Sequence, residues 1–124
     1  MKILLIDDDK FFRKFYSFKL KEQGIEVDVA SDVEEGFTMI RQSNPDLVLL
    51  DLIMPKVDGF SFLESRLTDE NLIKIPVIVF STLKQTQDIE RAKKLGAADY
   101  LDKSFFDFNN MMEKIKQTLS TIQT

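Results

Sequence analysis

The chain has 124 residues, a size typical of one domain, and its net charge of −4 argues against a nucleic-acid-binding surface, which needs a dense basic patch. It contains neither cysteine nor histidine, which excludes a disulfide framework, thiolate chemistry and a histidine base, metal ligand or phosphoryl carrier. No apolar run approaches the roughly 18 residues that span a bilayer, and the apolar start is too short for a signal peptide. We therefore expect residues 1–124 to form one cytoplasmic domain without a membrane partner.

The first strand–helix unit begins with an apolar run over residues 3–6, which predicts strand 1 and is followed by three aspartates. Residues 10–23 are predicted as helix 1, with Gly24 as its C-cap. Two rows of apolar residues at helical spacing give this helix a wide apolar face: Phe11, Phe15 and Phe18, and Phe12, Tyr16 and Leu20. We expect Phe12 and Phe15 to be buried and Phe11 or Phe18 to be partly exposed.

The second unit begins where apolar and acidic residues alternate, over residues 25–30, so strand 2 is predicted as a half-exposed edge strand. Helix 2 follows, and its start carries two alternative capping boxes, Ser31 with Glu34 or Asp32 with Glu35. The residues of helix 2 that are expected to face the core are Val33, Phe37 and Ile40.

The third unit, residues 46–59, combines a buried strand with an acid at its end. The four apolar residues 47–50 predict strand 3, buried on both faces of a sheet, and Asp51 follows directly. Pro55 rules out a longer strand, and Asp58-Gly59 marks a tight turn before helix 3. The residues of helix 3 expected to point inward are Phe60, Leu63 and Leu67.

The last two units complete the alternation. An apolar run over residues 77–80 predicts strand 4, and residues 86–95 are predicted as helix 4, which Gly96 ends. Residues 97–102 carry acids and are therefore predicted as a second edge strand, and residues 107–122 as helix 5. The inward residues of helix 5 are expected to be Phe108, Met111, Ile115, Leu119 and Ile122.

These elements predict an α/β fold: a flavodoxin-like, doubly wound, five-stranded parallel sheet with five helices. Strands 1, 3 and 4 are uniformly apolar, whereas strands 2 and 5 are mixed. The strand order 2-1-3-4-5 places both mixed strands at the edges, and we therefore expect that order.

Reactive side chains follow four of the strands, at the edge where sites form in open α/β sheets. They are Asp7 and Asp8 after strand 1, Asp51 after strand 3, Ser81 after strand 4 and Lys103 after strand 5. Neighbouring carboxylates raise one another's pKa, but they coexist ionised around a hard divalent cation, and magnesium prefers such oxygen ligands. A solvated loop is the alternative for one aspartate pair, and a third aspartate on a neighbouring buried strand favours the metal site.

Lysine and hydroxyl groups at this edge point to phosphoryl chemistry. Lys103 is expected to pair with Asp51 or to neutralise a bound anion, and Ser81 either caps a nearby helix or binds a phosphoryl oxygen. A carboxylate can accept a phosphoryl group as an aspartyl phosphate, while a metal and a lysine neutralise the charge on the transferring group. The chain has no Gly-rich phosphate loop, so a nucleotide is not indicated.

Together these residues resemble a response-regulator receiver domain of two-component signalling, of the chemotaxis-regulator type, over essentially the whole chain. The matching residues are Asp7, Asp8, Asp51, Met54, Pro55, Asp58, Gly59, Ser81, Tyr100 and Lys103. The resemblance implies that Asp51 accepts a phosphoryl group from a histidine kinase or a histidine phosphotransfer protein. It also implies a non-enzymatic domain that assists its own phosphorylation and dephosphorylation.

The resemblance further implies a role for each residue around the phosphoacceptor. Magnesium would be held by Asp8, Asp51 and the Ile53 main-chain carbonyl, with Asp7 assisting through water. Ser81 and Lys103 would contact the phosphoryl group. Tyr100 would turn inward as Ser81 moves toward the phosphate, which would change the surface formed by helix 4, strand 5 and helix 5.

The chain departs from the family pattern at two positions near the site. The family commonly has a cis proline after the lysine, where this chain has Ser104, and a non-proline cis bond costs about 3 kcal/mol. The geometry of this loop is therefore open. Thr82 stands where a smaller residue is usual. Because partners of this family dock near helix 1, an exposed phenylalanine there is a candidate docking contact.

Two alternative functions were weighed against the receiver. A phosphatase or phosphotransferase with an aspartate nucleophile, resembling the haloacid dehalogenase group, needs a second acid two residues after the nucleophile, where this chain has Ile53. A receiver-like interaction module that has lost phosphorylation would not need the acid set and Lys103, which are intact. The receiver is the interpretation that accounts for all of these residues, and its output partner stays unassigned.

Overall fold

The computed structural model, which describes residues 1–54, 56–83, 85–104 and 107–123, contains five strands and five helices in alternation. The strands are β1 (Lys2–Ile6), β2 (Glu26–Ala30), β3 (Leu47–Leu50), β4 (Val77–Ser81) and β5 (Asp99–Asp102). The helices are α1 (Lys10–Glu22), α2 (Val33–Ser43), α3 (Gly59–Leu67), α4 (Thr86–Lys94) and α5 (Phe108–Gln123). The predicted α/β fold is confirmed, with boundaries that differ by one or two residues. Within the described part of the chain, no helix combines the length and the apolar character that crossing a membrane requires.

The strands form one parallel sheet in the order β2-β1-β3-β4-β5, as predicted. The central strands β3 and β4 are buried along their whole length, whereas the edge strands β2 and β5 mix buried and accessible residues. The register pairs Ile6 with Leu50, the last residues of β1 and β3. The residues that follow these two strands therefore leave the sheet side by side, at its carboxyl edge.

Apolar packing is divided between the two faces of the sheet. On one face, buried residues of α2, α3 and α4 pack against alternate residues of the sheet; on the other, those of α1 and α5 do so. The predicted inward residues that contribute to these cores are Val33, Phe37, Ile40, Phe60, Leu63, Phe108, Met111, Ile115 and Leu119. The side chain of Ile122 lies outside the described ones.

The prediction that Leu67 points into the core is wrong, because 40% of it is exposed. Leu67 is the last residue of α3, and it lies beside Gly96, where a Cβ atom added to the glycine would be 3.4 Å from Leu67 Cδ2. Glycine offers no side chain to cover it. The buried residue at this end of the helix is instead Arg66, whose guanidinium donates hydrogen bonds to the carbonyl oxygens of Ile73 and Ile75.

Helix α1 departs from the prediction on its outer side. Phe12 is half-buried, but Phe15 is 37% exposed, and Phe11 and Phe18 are exposed to 69% and 63%. Burial of Phe15 was expected, and that expectation is wrong. Tyr16 and Leu20 fill the space against the sheet, so the row that includes Phe15 faces outward, where its ring stacks on Phe11 with centroids 6.1 Å apart.

Aspartates cap four of the helices, α1, α2, α3 and α5, and at α5 the Asp107 side chain accepts from the Asn109 and Asn110 amides. Asp9 caps α1 by accepting from the Phe11 and Phe12 amides, and Asp58 caps α3 by accepting from the Ser61 amide. For α2 the second of the two alternatives holds, since Asp32 accepts from the Glu35 amide at 2.8 Å. The caps of α1 and α3 lie just after the carboxyl ends of β1 and β3, and so fix both helices beside the acidic residues.

Candidate functional site

Three carboxylates meet beyond the carboxyl ends of β1 and β3. One oxygen atom from each of Asp7, Asp8 and Asp51 lies within 4.8 Å of the others. Asp7 and Asp51 are only 1% and 5% exposed, whereas Asp8 is open to solvent. The register of β1 with β3 produces this arrangement, because it brings the two strand ends level. The structure thus places the three sequence-predicted acids together.

Lys103 follows the edge strand β5, and its side chain reaches the acids at the carboxyl edge of the sheet. Its buried ammonium donates to Asp7 Oδ2 at 2.5 Å and to Asp51 Oδ2 at 3.4 Å. The predicted pairing with Asp51 is therefore present, but the shorter contact is with Asp7, which sequence reasoning did not identify. Nothing in the sequence ranks the two acids, because their distances from a long lysine side chain depend on the twist of the sheet.

The environment of Asp51 opposes its own ionisation. Burial, the largest cause, raises the pKa of the Asp51 carboxyl above its usual range, and the charge of Asp7 raises it further. The Lys103 ammonium and the hydrogen bond from the Ile53 amide to Oδ1, at 3.2 Å, act in the opposite direction. A cation beside these acids would therefore favour the ionised carboxylate, which is the nucleophilic form.

Ser81 and Tyr100 are joined through the main chain of Leu83. The buried Ser81 hydroxyl accepts from the Leu83 amide at 3.2 Å, and the Tyr100 hydroxyl donates to the Leu83 carbonyl oxygen at 2.5 Å. Burial raises the pKa of Tyr100 to about 12, so the hydroxyl keeps its proton well above neutral pH. The alternative that Ser81 caps a helix is not what the structure shows, since α4 begins at Thr86 and its N-cap residue is Gln85, with no side-chain cap hydrogen bond.

The loop after β3 is shaped by a close approach at Gly59. A Cβ atom on Gly59 would lie 2.6 Å from the Asp51 carbonyl oxygen and 2.8 Å from Leu52 Cα, so only glycine lets α3 start against this segment. The left-handed conformation in this loop falls on Lys56, whose φ is 71°. Pro55 lies outside the described residues. The sequence had marked Gly59 as a turn residue, whereas its role is to admit the neighbouring backbone.

The peptide bond between Lys103 and Ser104 is trans. No cis peptide bond occurs among the described residues, which include Lys103 and Ser104. The Ser104 amide and hydroxyl both donate to Asp102 Oδ1, at 2.9 and 2.6 Å. The question that the missing proline raised is therefore resolved in favour of a trans bond that the Asp102 side chain supports.

Two residues of α1 belong to the site and were not identified from the sequence. The Arg13 guanidinium donates to the Asp7 carbonyl oxygen at 2.8 Å, and the Phe12 ring centroid lies 4.1 Å from the Lys103 ammonium nitrogen. The available signal was their place in the first turn of α1, which starts at Lys10, shortly after Asp7.

Comparison with known proteins agrees with this arrangement. A family model described as the response regulator receiver domain matches residues 3–116. The DNA-binding dual master transcriptional regulator RpaA of Synechocystis sp. is 38% identical over 118 residues, which cover 95% of this chain and 48% of that protein. The chain thus spans about half the length of this relative.

Solved structures show the same similarity in three dimensions. The receiver domain of the Francisella response regulator 1452 is 32% identical, with a TM-score of 0.86 and 97% of each chain covered. The chemotaxis protein CheY4 of Vibrio cholerae is 26% identical, with a TM-score of 0.81 over 98% of this chain and 97% of that one. The similarity therefore extends over the sheet and all its helices.

Proposed function

This chain belongs to the response regulator receiver domain family, and from that premise we propose that it is a phosphoacceptor in a two-component phosphorelay. The observation that carries the proposal is the position of Asp51, buried beside Asp7 and Lys103 and close to the open carboxylate of Asp8. An Asp51 oxygen attacks phosphorus, the phosphorus–nitrogen bond of a phosphohistidine breaks, and the imidazole leaves with the bonding electron pair. Since these residues contain no histidine, we infer that the donor histidine belongs to a histidine kinase or a histidine phosphotransfer protein.

The acidic residues fit a magnesium ion. Their carboxylate oxygens are hard ligands within 4.8 Å of one another, and the exposure of Asp8 leaves room for water and a phosphate oxygen. We assign Asp8, Asp51 and the Ile53 main-chain carbonyl as ligands, with Asp7 acting through water. When bound, the cation neutralises negative charge on the phosphoryl oxygens.

Lys103 and Ser81 are the proposed contacts of the phosphoryl group as it is transferred. The ammonium already lies beside Asp51, so it can neutralise phosphoryl oxygens without a large movement. The Ser81 hydroxyl turns from the Leu83 amide to donate to a phosphoryl oxygen, and the hydrogen bond of Tyr100 to Leu83 changes with it. The surface of α4, β5 and α5 then differs between the two states and carries the signal to a partner.

The outer face of α1 is the proposed docking surface for the phosphodonor. It presents Phe11, Phe15 and Phe18, and beside them runs a groove of about 420 Å³ against β2. That groove is lined by Lys10, Arg13, Lys14, Ser17, Phe18, Lys21 and Val29. Basic side chains around an apolar floor fit an acidic protein surface rather than a nucleic acid. Because α1 starts beside the acidic residues, a partner on this helix reaches Asp51.

Receiver domains are generally non-enzymatic signalling modules, and we propose that this one promotes reactions of its own Asp51 only. The phosphatase alternative lacks its second acid, since the residue two positions after Asp51 is Ile53. We place the domain in the cytoplasm, where its phosphodonors would be met. Its output partner is to be sought at the surface formed by α4, β5 and α5.

The test is intact-mass measurement after incubation with acetyl phosphate and magnesium. We expect the wild type and Asp46→Asn to gain one phosphoryl group, and Asp51→Asn or excess chelator to abolish the gain. Asp46 is the matched control because it is an exposed aspartate at the opposite end of the same strand. A gain that persists in Asp51→Asn would overturn the proposal.

A further inference from the structure

The Lys103 ammonium has an aromatic neighbour in addition to its two acids. The centroid of the Phe12 ring lies 4.1 Å from Nζ, a distance at which the negative face of the ring attracts a cation. The lysine side chain is almost completely buried, so little water competes for the ammonium. Its described neighbours are thus Asp7, Asp51 and the Phe12 face.

The Phe12 ring is held in place by packing from the sheet. It stacks on Tyr16, with centroids 5.6 Å apart and planes 6° from parallel, and Tyr16 meets Phe80 edge-on at 4.9 Å. Tyr16 and Phe80 are both buried, and Phe80 precedes Ser81 on β4. The Phe12 amide also donates to the Asp9 cap. These contacts hold the Phe12 ring in one position beside the Lys103 ammonium.

An aliphatic core residue in place of Phe12 would not attract the Lys103 ammonium. An aliphatic side chain could fill the space but would leave the ammonium facing apolar atoms, which a buried charge does not tolerate without cost. The ammonium already lies closer to Asp7, at 2.5 Å, than to Asp51, at 3.4 Å. Without an attractive surface at its present position, it would be freer to settle against Asp7 alone.

We propose that Phe12 is a positioning residue for phosphoryl transfer to Asp51: its ring face keeps the Lys103 ammonium within reach of the Asp51 carboxylate. This inference rests on the proposed function. With acetyl phosphate as donor, an Asp51 oxygen bonds to phosphorus, the bond from phosphorus to the acetyl oxygen breaks, and acetate leaves with the electron pair. Lys103 lies beside the attacking oxygen and neutralises the phosphoryl group as it arrives.

Fluorination of the ring separates attraction from packing. Phe12 is replaced by mono-, di- and pentafluorophenylalanine, which keep nearly the same shape but withdraw electron density from the ring face. The rate of Asp51 phosphorylation is followed by intact mass at several acetyl phosphate concentrations and saturating magnesium. The same series at Phe37, which stacks on Phe62 on the other face of the sheet, is the matched control.

We expect the rate to fall with each added fluorine at position 12, by about fivefold for the pentafluoro ring, with unchanged thermal midpoints and no trend at position 37. Should the pentafluoro variant not fold, Phe12→Tyr is expected to keep the rate and Phe12→Leu to lose it. Equal rates along the series, or in that pair, overturn the role of Phe12 and leave the proposed function standing. A wild type that takes no phosphoryl group on Asp51 overturns both.

Discussion

The Tyr100 hydroxyl donates a hydrogen bond to the Leu83 main-chain carbonyl oxygen, 2.5 Å away. The amide of Leu83 in turn donates to Ser81 Oγ. The main chain of this one residue is therefore hydrogen-bonded both to Tyr100 on β5 and to Ser81 at the end of β4. Since Ser81 is proposed to bind the phosphoryl group, a change at Ser81 reaches Tyr100 through their side-chain hydrogen bond and also through the short segment at Leu83. The segment is therefore the candidate bistable element of the domain.

Tyr100→Phe removes this hydrogen bond while keeping the ring. We expect the free energy of unfolding to fall by about 1 kcal/mol and the Leu83 amide to exchange its hydrogen faster, because residue 83 loses the hydrogen bond that holds its carbonyl group. Urea unfolding and amide hydrogen exchange measure the two effects. Tyr16→Phe, on the opposite face of the sheet, is the control and should leave Leu83 exchange unchanged. Unchanged exchange in Tyr100→Phe would show that the hydrogen bond does not restrain the segment.

Both tyrosines of the chain should ionise at a higher pH than tyrosine in an unfolded chain. Burial raises the pKa of Tyr16 and of Tyr100 from 10.0 to about 12 in each case, and the charge of Asp7 adds to the effect at Tyr16. The folded state therefore holds its phenol protons more tightly than the unfolded state does. Their contribution to stability is complete below pH 10.0 and is lost as the pH rises through about 12.

Absorbance of the tyrosinate form measures this shift directly. We expect little ionisation of the native protein near pH 10.0 and half ionisation of the urea-unfolded chain there, since unfolding returns the tyrosine pKa to its ordinary value. Urea midpoints should fall over the same interval. A native titration curve that overlays the unfolded one would contradict the burial of both hydroxyl groups.

Without a cation, Asp8→Asn should stabilise the fold. Asp8 lies close to Asp7 and Asp51, and among the described residues the ion pairs of Lys103 are with those two, so the exposed carboxylate mainly repels its neighbours. The expected gain is about 1 kcal/mol, because these charges act partly through water. In saturating magnesium the order should reverse, since the wild type keeps a ligand that the variant lacks.

Thermal midpoints in chelator and in magnesium test this expectation. Asp28→Asn, a substitution of the same kind on the edge strand β2, controls for the loss of one negative charge. A lower midpoint for Asp8→Asn in chelator would show that Asp8 has a stabilising partner. Equal responses of both proteins to magnesium would argue against Asp8 as a ligand.

The sheet order and the acidic site could be predicted because they depend on strand character alone. Uniformly apolar strands must be central, and a residue that directly follows a buried strand, such as Asp51, must emerge at the carboxyl edge. Exposure along the helices was less predictable. Helical spacing groups Phe15 with apolar neighbours, and Leu67 likewise, but it does not tell how much of each row the sheet or the next helix covers.

Contacts between side chains from distant strands could not be predicted either. Lys103 was placed at the correct edge, yet its shorter contact with Asp7 and its packing on Phe12 depend on sheet twist and on the seating of α1. Phe12 was assigned to the core by its apolar character. Sequence patterns distinguish buried from exposed positions, but they do not distinguish a ring that fills space from one that faces a cation.

The lifetime of the phosphorylated state should be long. Hydrolysis needs a water molecule in line with phosphorus, opposite the Asp51 oxygen, and in this family the residues two after the phosphoacceptor and two after the hydroxyl position flank that approach. Here they are Ile53 and Leu83, neither of which can orient water by a hydrogen bond from its side chain. Thr82, which directly follows Ser81, stands where a smaller residue is usual.

We expect Ile53→Asn to speed self-dephosphorylation severalfold, since a polar side chain at this exposed position can orient the attacking water. Ile53 is 49% exposed, so the substitution should leave stability almost unchanged, and Ile53→Val is the matched apolar control. Leu83→Glu should also speed decay, but it will lower stability because Leu83 packs against the core on the α3 and α4 side. The measurement is the decay of the phosphorylated mass after the donor is removed, in excess magnesium. If Ile53→Asn decays no faster than Ile53→Val, the apolar side chains do not limit access of water, and a slow wild-type decay must have another cause.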